Sequence, residues 1–299
     1  MPDSKNFLHP EAIKRIDRLD LRAQHIVEGF MSGSHRSPYF GQSVEFLQHR
    51  EYQLGDDLRH VDWQVWARQD RLYVKQFEEE TNMRVQMLVD VSSSMQYGNG
   101  PFNKYEYAAT IVTSLAYLVL KKHDAVGCVT FDEKIRENLP TRSQHTQLNS
   151  IIACLENSKP ADKTDLNQIF NDAAEMFSRK GVVIVVSDLF GDTDATLKGL
   201  RMLRQRGHDV LLFHVLDDDE LDFPFTGSSQ FDDLESDIQL NCNPKALRDG
   251  YLKEINSFLE TIKIGCARAS IDYALVRTSD SLGAVLATFL SRRIARNRG

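Results

Sequence analysis

From residue 85 onward the chain alternates short β-rich apolar runs with longer helical patterns, and no other feature constrains the fold as tightly. The apolar runs occupy residues 85–89, 125–131, 182–186, 210–215 and 271–276. They are rich in Val, Ile and Leu with few polar residues, as expected of strands covered on both faces of a parallel sheet. Helical patterns fill the gaps at 104–121, 144–157, 165–178, 195–206, 244–269 and 281–295. Strands alternating with helices predict an α/β fold, a doubly wound and mostly parallel sheet flanked by helices.

The first 80 residues follow a different rhythm and read as an N-terminal extension, with the main domain covering residues 81–299. Ile13, Ile16, Ala23, Ile26, Val27 and Phe30 recur at near-helical spacing over 10–30, giving an amphipathic helix that needs a surface to dock on. "MSGSHRSPYFG" reads as a loop. Two candidate strands, 44–52 and 71–77, then flank a Gly55-Asp56 turn and a short helical stretch around Trp63. Arg50, Asp56, Asp57, Arg59, Asp62, Arg68 and Lys75 make this extension unusually charged, and a paired surface network accounts for them. Further on, "DDDELDFPFTGSSQFDDLESD" interrupts the alternation with acidic residues, Pro224 and a Gly-Ser pair, and reads as an exposed excursion.

Charge narrows the function classes. The 36 Lys and Arg against 43 Asp and Glu leave a net charge of −7, which argues against bulk attraction to nucleic acid or an anionic membrane. The basic run "SRRIARNRG" suits the carboxyl end of a last helix. No apolar stretch reaches the roughly 18–20 residues that span a bilayer, and the amino terminus lacks a signal pattern, so a cytoplasmic protein is expected. Cys128, Cys154, Cys242 and Cys266 lie far apart without CxxC spacing, which points to buried thiols rather than a zinc or redox motif.

Functional groups of a doubly wound sheet collect in loops at the carboxyl ends of its strands. Three loops carry oxygen-bearing side chains there. "DVSSS" supplies Asp90, Ser92 and Ser94 after the first run; Thr164 precedes the helix that starts near 165; Asp188 follows "GVVIVVS". If the chain stays extended through "DVSSS", Asp90, Ser92 and Ser94 share one facing and Ser93 turns away. Carboxylates and hydroxyls are hard ligands suited to Mg²⁺, which keeps several waters and takes few protein ligands. The same residue types also cap helices and build turns, so each loop alone has a second explanation.

"DVSSSM", "KTDL" and "VVSDLFGD" resemble the three parts of the metal-ion-dependent adhesion site (MIDAS) of von Willebrand factor A domains. The chain more specifically resembles the DUF58 family, through "REYQLGDDLRHVDWQVWARQDRLYVKQFEEE", "DAVGCVTFD", "HDVLLFHVLDDDELDFPF" and a downstream "LES". The resemblance implies a von Willebrand factor A-like fold, with Asp90, Ser92, Ser94, Thr164 and Asp188 as metal positions for Mg²⁺ or Mn²⁺. It also implies a MoxR-type AAA+ ATPase as partner. Arg50, Gly55, Asp56, Asp57, Arg59, Asp62, Trp63, Arg68 and Lys75 match the family's charged motif and either fasten the extension or contact that partner. One departure stands out, since Leu189 follows Asp188 where the family pattern has Gly.

These readings lead to a non-enzymatic protein-binding adapter, in which a bound ion leaves a coordination position for a partner's carboxylate. A metal-assisted hydrolase is the competing reading, and a structural subunit without metal is a third. The hydrolase lacks a visible base. None of the nine histidines lies at H-E-x-x-H spacing, there is no G-x-S-x-G elbow, and "GNGPFNKY" lacks the Gly-Lys-Ser/Thr core of a phosphate loop. His123 and His214 sit within or beside apolar runs and read as structural.

Overall fold

A computed structural model of the chain describes residues 10, 14, 16, 18–32, 46–51, 65–66, 72–77, 83–158, 166–226, 229–232, 239–242 and 244–287. Two compact units emerge, one of residues 1–34 with 83–299 and one of residues 35–82. Helix α1 (Leu19–Ser32) therefore groups with the main domain, not with the extension to which the sequence assigned it. The reason is its apolar stripe: Ala23, Ile26 and Val27 are wholly buried, and the helix packs on α2. In the smaller unit, β1 (Phe46–Glu51) and β2 (Tyr73–Phe77) pair antiparallel, with Arg50 opposite Val74 and Lys75 opposite His49. The expected turn at Gly55-Asp56 lies outside the described residues.

The main sheet has six strands, β3 (Arg84–Asp90), β4 (Ala125–Phe131), β5 (Ile135–Arg142), β6 (Val182–Ser187), β7 (Asp209–Leu216) and β10 (Asp272–Arg277). Their order is β10-β7-β6-β3-β4-β5. Counted from β3, that is the doubly wound order 3-2-1-4-5-6, whose switch point falls between the first and fourth strands, here β3 and β6. All neighbours are parallel except the β4–β5 pair. The expected mostly parallel, doubly wound sheet is therefore present.

Helices cover both faces. Helix α2 (Lys104–Lys121) matches its expected bounds and packs on β3, β4, β6 and β7, with α3 (Thr146–Asn157) beside it. A capping box starts α2: Asn103 Oδ1 accepts the Glu106 amide at 2.7 Å, and the Glu106 carboxylate accepts the Asn103 amide at 3.3 Å. On the opposite face, α4 (Leu166–Met176) and α5 (Thr193–Gln205) enclose a core of Leu88, Val129, Phe131, Phe170, Val183, Val185 and Leu212.

Three elements depart from the sequence reading. Strand β5 is "IRENLPTR", mostly polar and carrying Pro140, so it has no apolar run to reveal it; such a strand is tolerated at a sheet edge. The acidic excursion folds into α6 (Asp218–Asp222) and an antiparallel hairpin of β8 (Ser229–Asp232) and β9 (Gln239–Cys242), followed by α7 (Pro244–Arg268). Aspartate capping explains α6, since Asp217 accepts the Asp219 amide and the Glu220 carboxylate accepts the Asp217 amide.

The β4–β5 register shifts at Gly127, between Val126 and Cys128. A Cβ there would lie 2.6 Å from the Leu139 carbonyl oxygen and 2.9 Å from the Thr141 amide nitrogen, both backbone atoms that cannot swing aside. Gly127→Ala should therefore destabilise the chain by about 1–3 kcal/mol, the range of core overpacking, read as a lowered urea midpoint at unchanged slope. An unchanged midpoint would show that the edge strand yields freely.

Candidate functional site at the switch point

Strand β3 ends on Asp90, opposite Phe131 of β4, and the Val91 amide makes the last ladder bond by donating to the Phe131 carbonyl at 2.8 Å. Ser92 stays extended, with ψ 162°, but residues Ser93–Gln96 form a turn of 3-10 helix over the buried Met95. The expected extended alternation therefore stops at Ser92. The turn nevertheless brings the intended hydroxyls together, with Ser92 Oγ and Ser94 Oγ 3.1 Å apart. Ser92 occupies the N-cap position of that turn, yet its side chain makes no capping bond. The explanation as a mere cap fails for this residue.

Strand β6 delivers Ser187 and Asp188, both buried, to the other side of the switch point. The Ser187 hydroxyl donates to Asp90 Oδ2 at 2.5 Å, and Oδ1 accepts the Ser92 amide at 2.9 Å. Asp188 Oδ1 accepts the Phe190 amide at 3.2 Å. Leu189, where the family pattern places Gly, adopts φ 55°, the left-handed conformation that Gly favours. The substitution thus keeps the left-handed backbone expected of Gly, at about 1–2 kcal/mol of local strain.

Lys104 was absent from the sequence reading and is the principal addition to the site. Its side chain is wholly buried at the start of α2, with Nζ 2.7 Å from Asp188 Oδ2 and 2.6 Å from Glu220 Oε1 of α6. The ammonium also lies 4.7 Å from the centre of the Phe190 ring. A lysine in the first helical turn opposes the helix dipole, and that anomaly was the available signal. Ser187 was also missed; a polar residue closing an apolar strand was its only mark.

The two aspartates experience opposite fields. Burial raises the Asp90 pKa, and the charge of Asp188 adds to the rise, against lowering hydrogen bonds from Ser187 and Ser92. For Asp188 burial also acts upward, but the charge and hydrogen bond of Lys104, with a further hydrogen bond from Ser94, bring it below the ordinary carboxylate range. Asp90 has no cationic partner among the described residues. His214 on β7 faces the Asp188 carbonyl oxygen through Nε2 at 2.8 Å and the Tyr273 hydroxyl through Nδ1 at 3.0 Å. Burial lowers its pKa to about 4, so it is a neutral, fully partnered structural residue.

Of the five expected metal positions, the fold assembles Asp90, Ser92, Ser94 and Asp188; Thr164 lies outside the described residues. So do Gly55, Asp56, Asp57, Arg59, Asp62, Trp63 and Arg68. No group of three or more His, Cys, Asp or Glu among the described residues is placed to hold a metal, so a cation at the switch point would rest on two aspartates and hydroxyls.

The fold is that of a doubly wound domain of the von Willebrand factor A-like kind. A family model described as "Protein of unknown function DUF58" matches residues 48–258, and the chain belongs to that family. It is 26% identical over 250 residues to Rv1480, an uncharacterized protein of Mycobacterium tuberculosis, covering 82% of this chain and 78% of the relative. Among solved structures, it is similar to BatB from Bacteroides thetaiotaomicron, with a TM-score of 0.47 and 17% identity over 70% of this chain and 98% of that one. The SpRpn10 VWA domain gives a TM-score of 0.42 and 12% identity over 69% of this chain and 94% of that one.

The pKa directions yield a pH signature. A carboxyl whose folded pKa of about 7 exceeds its unfolded 3.8 costs stability as pH rises between those values, because the unfolded chain ionises first. His214, lowered to about 4 from 6.5, has the opposite slope, its stability contribution being lost as pH falls through that window. In the native chain the two slopes oppose each other. With chelator present, the urea midpoint of Asp90→Asn should gain on the native chain from about pH 4 to about pH 7 and keep a constant lead above it. A difference independent of pH would show that Asp90 titrates as an ordinary carboxyl.

Proposed function

We propose that this chain is a non-enzymatic, protein-binding adapter whose switch-point oxygens hold a divalent cation, Mg²⁺ or Mn²⁺. The observation that carries this reading is Asp90, a carboxyl 1% exposed with no cationic partner among the described residues, beside the converging hydroxyls of Ser92 and Ser94, of which Ser92 makes no capping bond. The donor set is entirely oxygen, which suits a hard cation. Asp90 would anchor the ion, Ser92 and Ser94 would ligate through their hydroxyls, and Asp188 would act directly or through water. Thr164 completes the set on the strength of the family resemblance. A bound divalent ion would supply one charge-dense coordination position for the carboxylate of another protein.

A MoxR-type AAA+ ATPase is the proposed partner, and protein maturation or complex assembly the proposed setting; both come from the family resemblance. The charged motif of the extension, Arg50 to Lys75, either fastens that unit or contacts the ATPase. Against the hydrolase, His214 reaches the site only through a backbone carbonyl and has both ring nitrogens engaged, so it is poorly placed as a general base. We place the adapter in the cytoplasm, where thiols such as buried Cys128, Cys154 and Cys266 stay reduced. Among the described residues, no helix is long and apolar enough to cross a membrane. Recovery of the tagged chain in the membrane fraction after cell lysis would count against the cytoplasmic assignment.

Calorimetric titration with Mg²⁺ should give binding for the native chain and none for Asp90→Ala. Identical titrations would remove the ion from this site. In parallel, a pull-down should recover an AAA+ ATPase that is lost on adding chelator. The same pull-down with Arg68→Ala separates a contact from a fastener, because a contact loses the ATPase at unchanged thermal stability. Metal-dependent release of phosphate or ester product by the purified chain would favour the hydrolase.

A further inference from the structure

We propose that Lys104 is a built-in competing cation that holds the divalent affinity of the switch-point site down by occupying Asp188. The proposal rests on the metal-binding reading of Asp90, Ser92, Ser94 and Asp188, and concerns how strongly that site binds.

The geometry behind it is specific. Lys104 is 0% exposed, so its ammonium has no route to solvent and is confined between Asp188 Oδ2 at 2.7 Å and Glu220 Oε1 at 2.6 Å. The other Asp188 oxygen is engaged by the Phe190 amide. Each oxygen of this expected ligand thus already carries a bond within the protein, and a divalent ion drawing on Asp188 must do so against the ammonium. The second resting place is already built. Glu220 is fixed by its bond to the Asp217 amide at 2.8 Å, and the Phe190 ring presents its face to the ammonium, so Lys104 stays neutralised if Asp188 turns to another cation.

Charge points the same way. Asp188 and Glu220 share the Lys104 ammonium, and Asp90 is near enough to Asp188 to feel its charge, so an ion at Asp90 meets a carboxylate already paired with a cation. Without Lys104 the charge of Asp188 would be uncompensated by that cation, and the repulsion between an ammonium and an incoming divalent ion would vanish. Removing a cation from this position should therefore tighten metal binding even while it weakens the fold, since Asp188 and Glu220 lose their partner.

That opposition of signs makes the test selective, because a loosened site can only bind more weakly. Mg²⁺ and Mn²⁺ are titrated calorimetrically into the native chain, Lys104→Met, Lys104→Gln and Lys104→Arg, each checked for folding by circular dichroism. The expected result is about tenfold tighter binding, or more, for Lys104→Met and Lys104→Gln, with Lys104→Arg restoring the weak affinity of the native chain. Should the neutral variants not fold, the ¹⁵N resonance of the Lys104 ammonium in the native chain is followed during Mg²⁺ titration, and it should shift as its partner changes. Equal or weaker binding by the neutral variants, or an unmoved resonance in a chain that binds the ion, overturns the competitor. Absence of binding by every chain overturns the metal-site reading itself, and the competitor with it.

Discussion

The contact on which the site depends is the buried ammonium of Lys104, held between carboxylates that come from two other parts of the chain. It joins the start of α2, the loop after β6 and the acidic helix α6, which together surround the open end of the switch point. The arrangement works against two ordinary preferences, since a lysine is both buried and set at the positive end of a helix. Removing one partner from a buried pair of this kind typically costs about 3–5 kcal/mol, because the remaining charge is stranded. The acidic helix is secured in turn: Tyr97 and Asn99 donate to Asp219, and the Tyr251 hydroxyl donates to the Glu220 carbonyl from α7.

The same cation separates the two aspartates. Asp188 is neutralised by a neighbour it shares with Glu220, whereas Asp90 receives a serine hydroxyl and a backbone amide as its described partners. Two neighbouring carboxyls thus have unequal tasks, one charge-paired within the protein and one whose ionisation is opposed by burial and by its neighbour. The two aspartates stand where β3 and β6 meet, the reversal of strand order at which doubly wound sheets gather function.

Much of this was legible in the sequence where one segment dictated its own structure. Residues 125–131 and 104–121 declared a strand and a helix with the bounds the fold adopts, since burial leaves an apolar run in the one and a helical pattern in the other. Strand β5 was illegible because an edge strand needs only backbone pairing with β4, and its side chains are free to be polar. Asp90 and Asp188 could be placed by their position after apolar strands. Lys104 could not, because its partners lie 84 and 116 residues away and no local pattern encodes either contact. Ser92 and Ser94 were paired for an inexact reason, since a tight turn and not a continued strand unites them.

The left-handed Leu189 has a mechanical consequence. Its side chain is wholly buried in the core enclosed by α4 and α5, so the residue next to Asp188 is bolted to the densest part of the domain. Glycine in the same conformation would leave that hinge free. Ser94 is half-buried, but its neighbours Ser92 and Met95 are buried, so the serine-bearing turn is anchored in the core as well and the site's two sides meet as rigid parts.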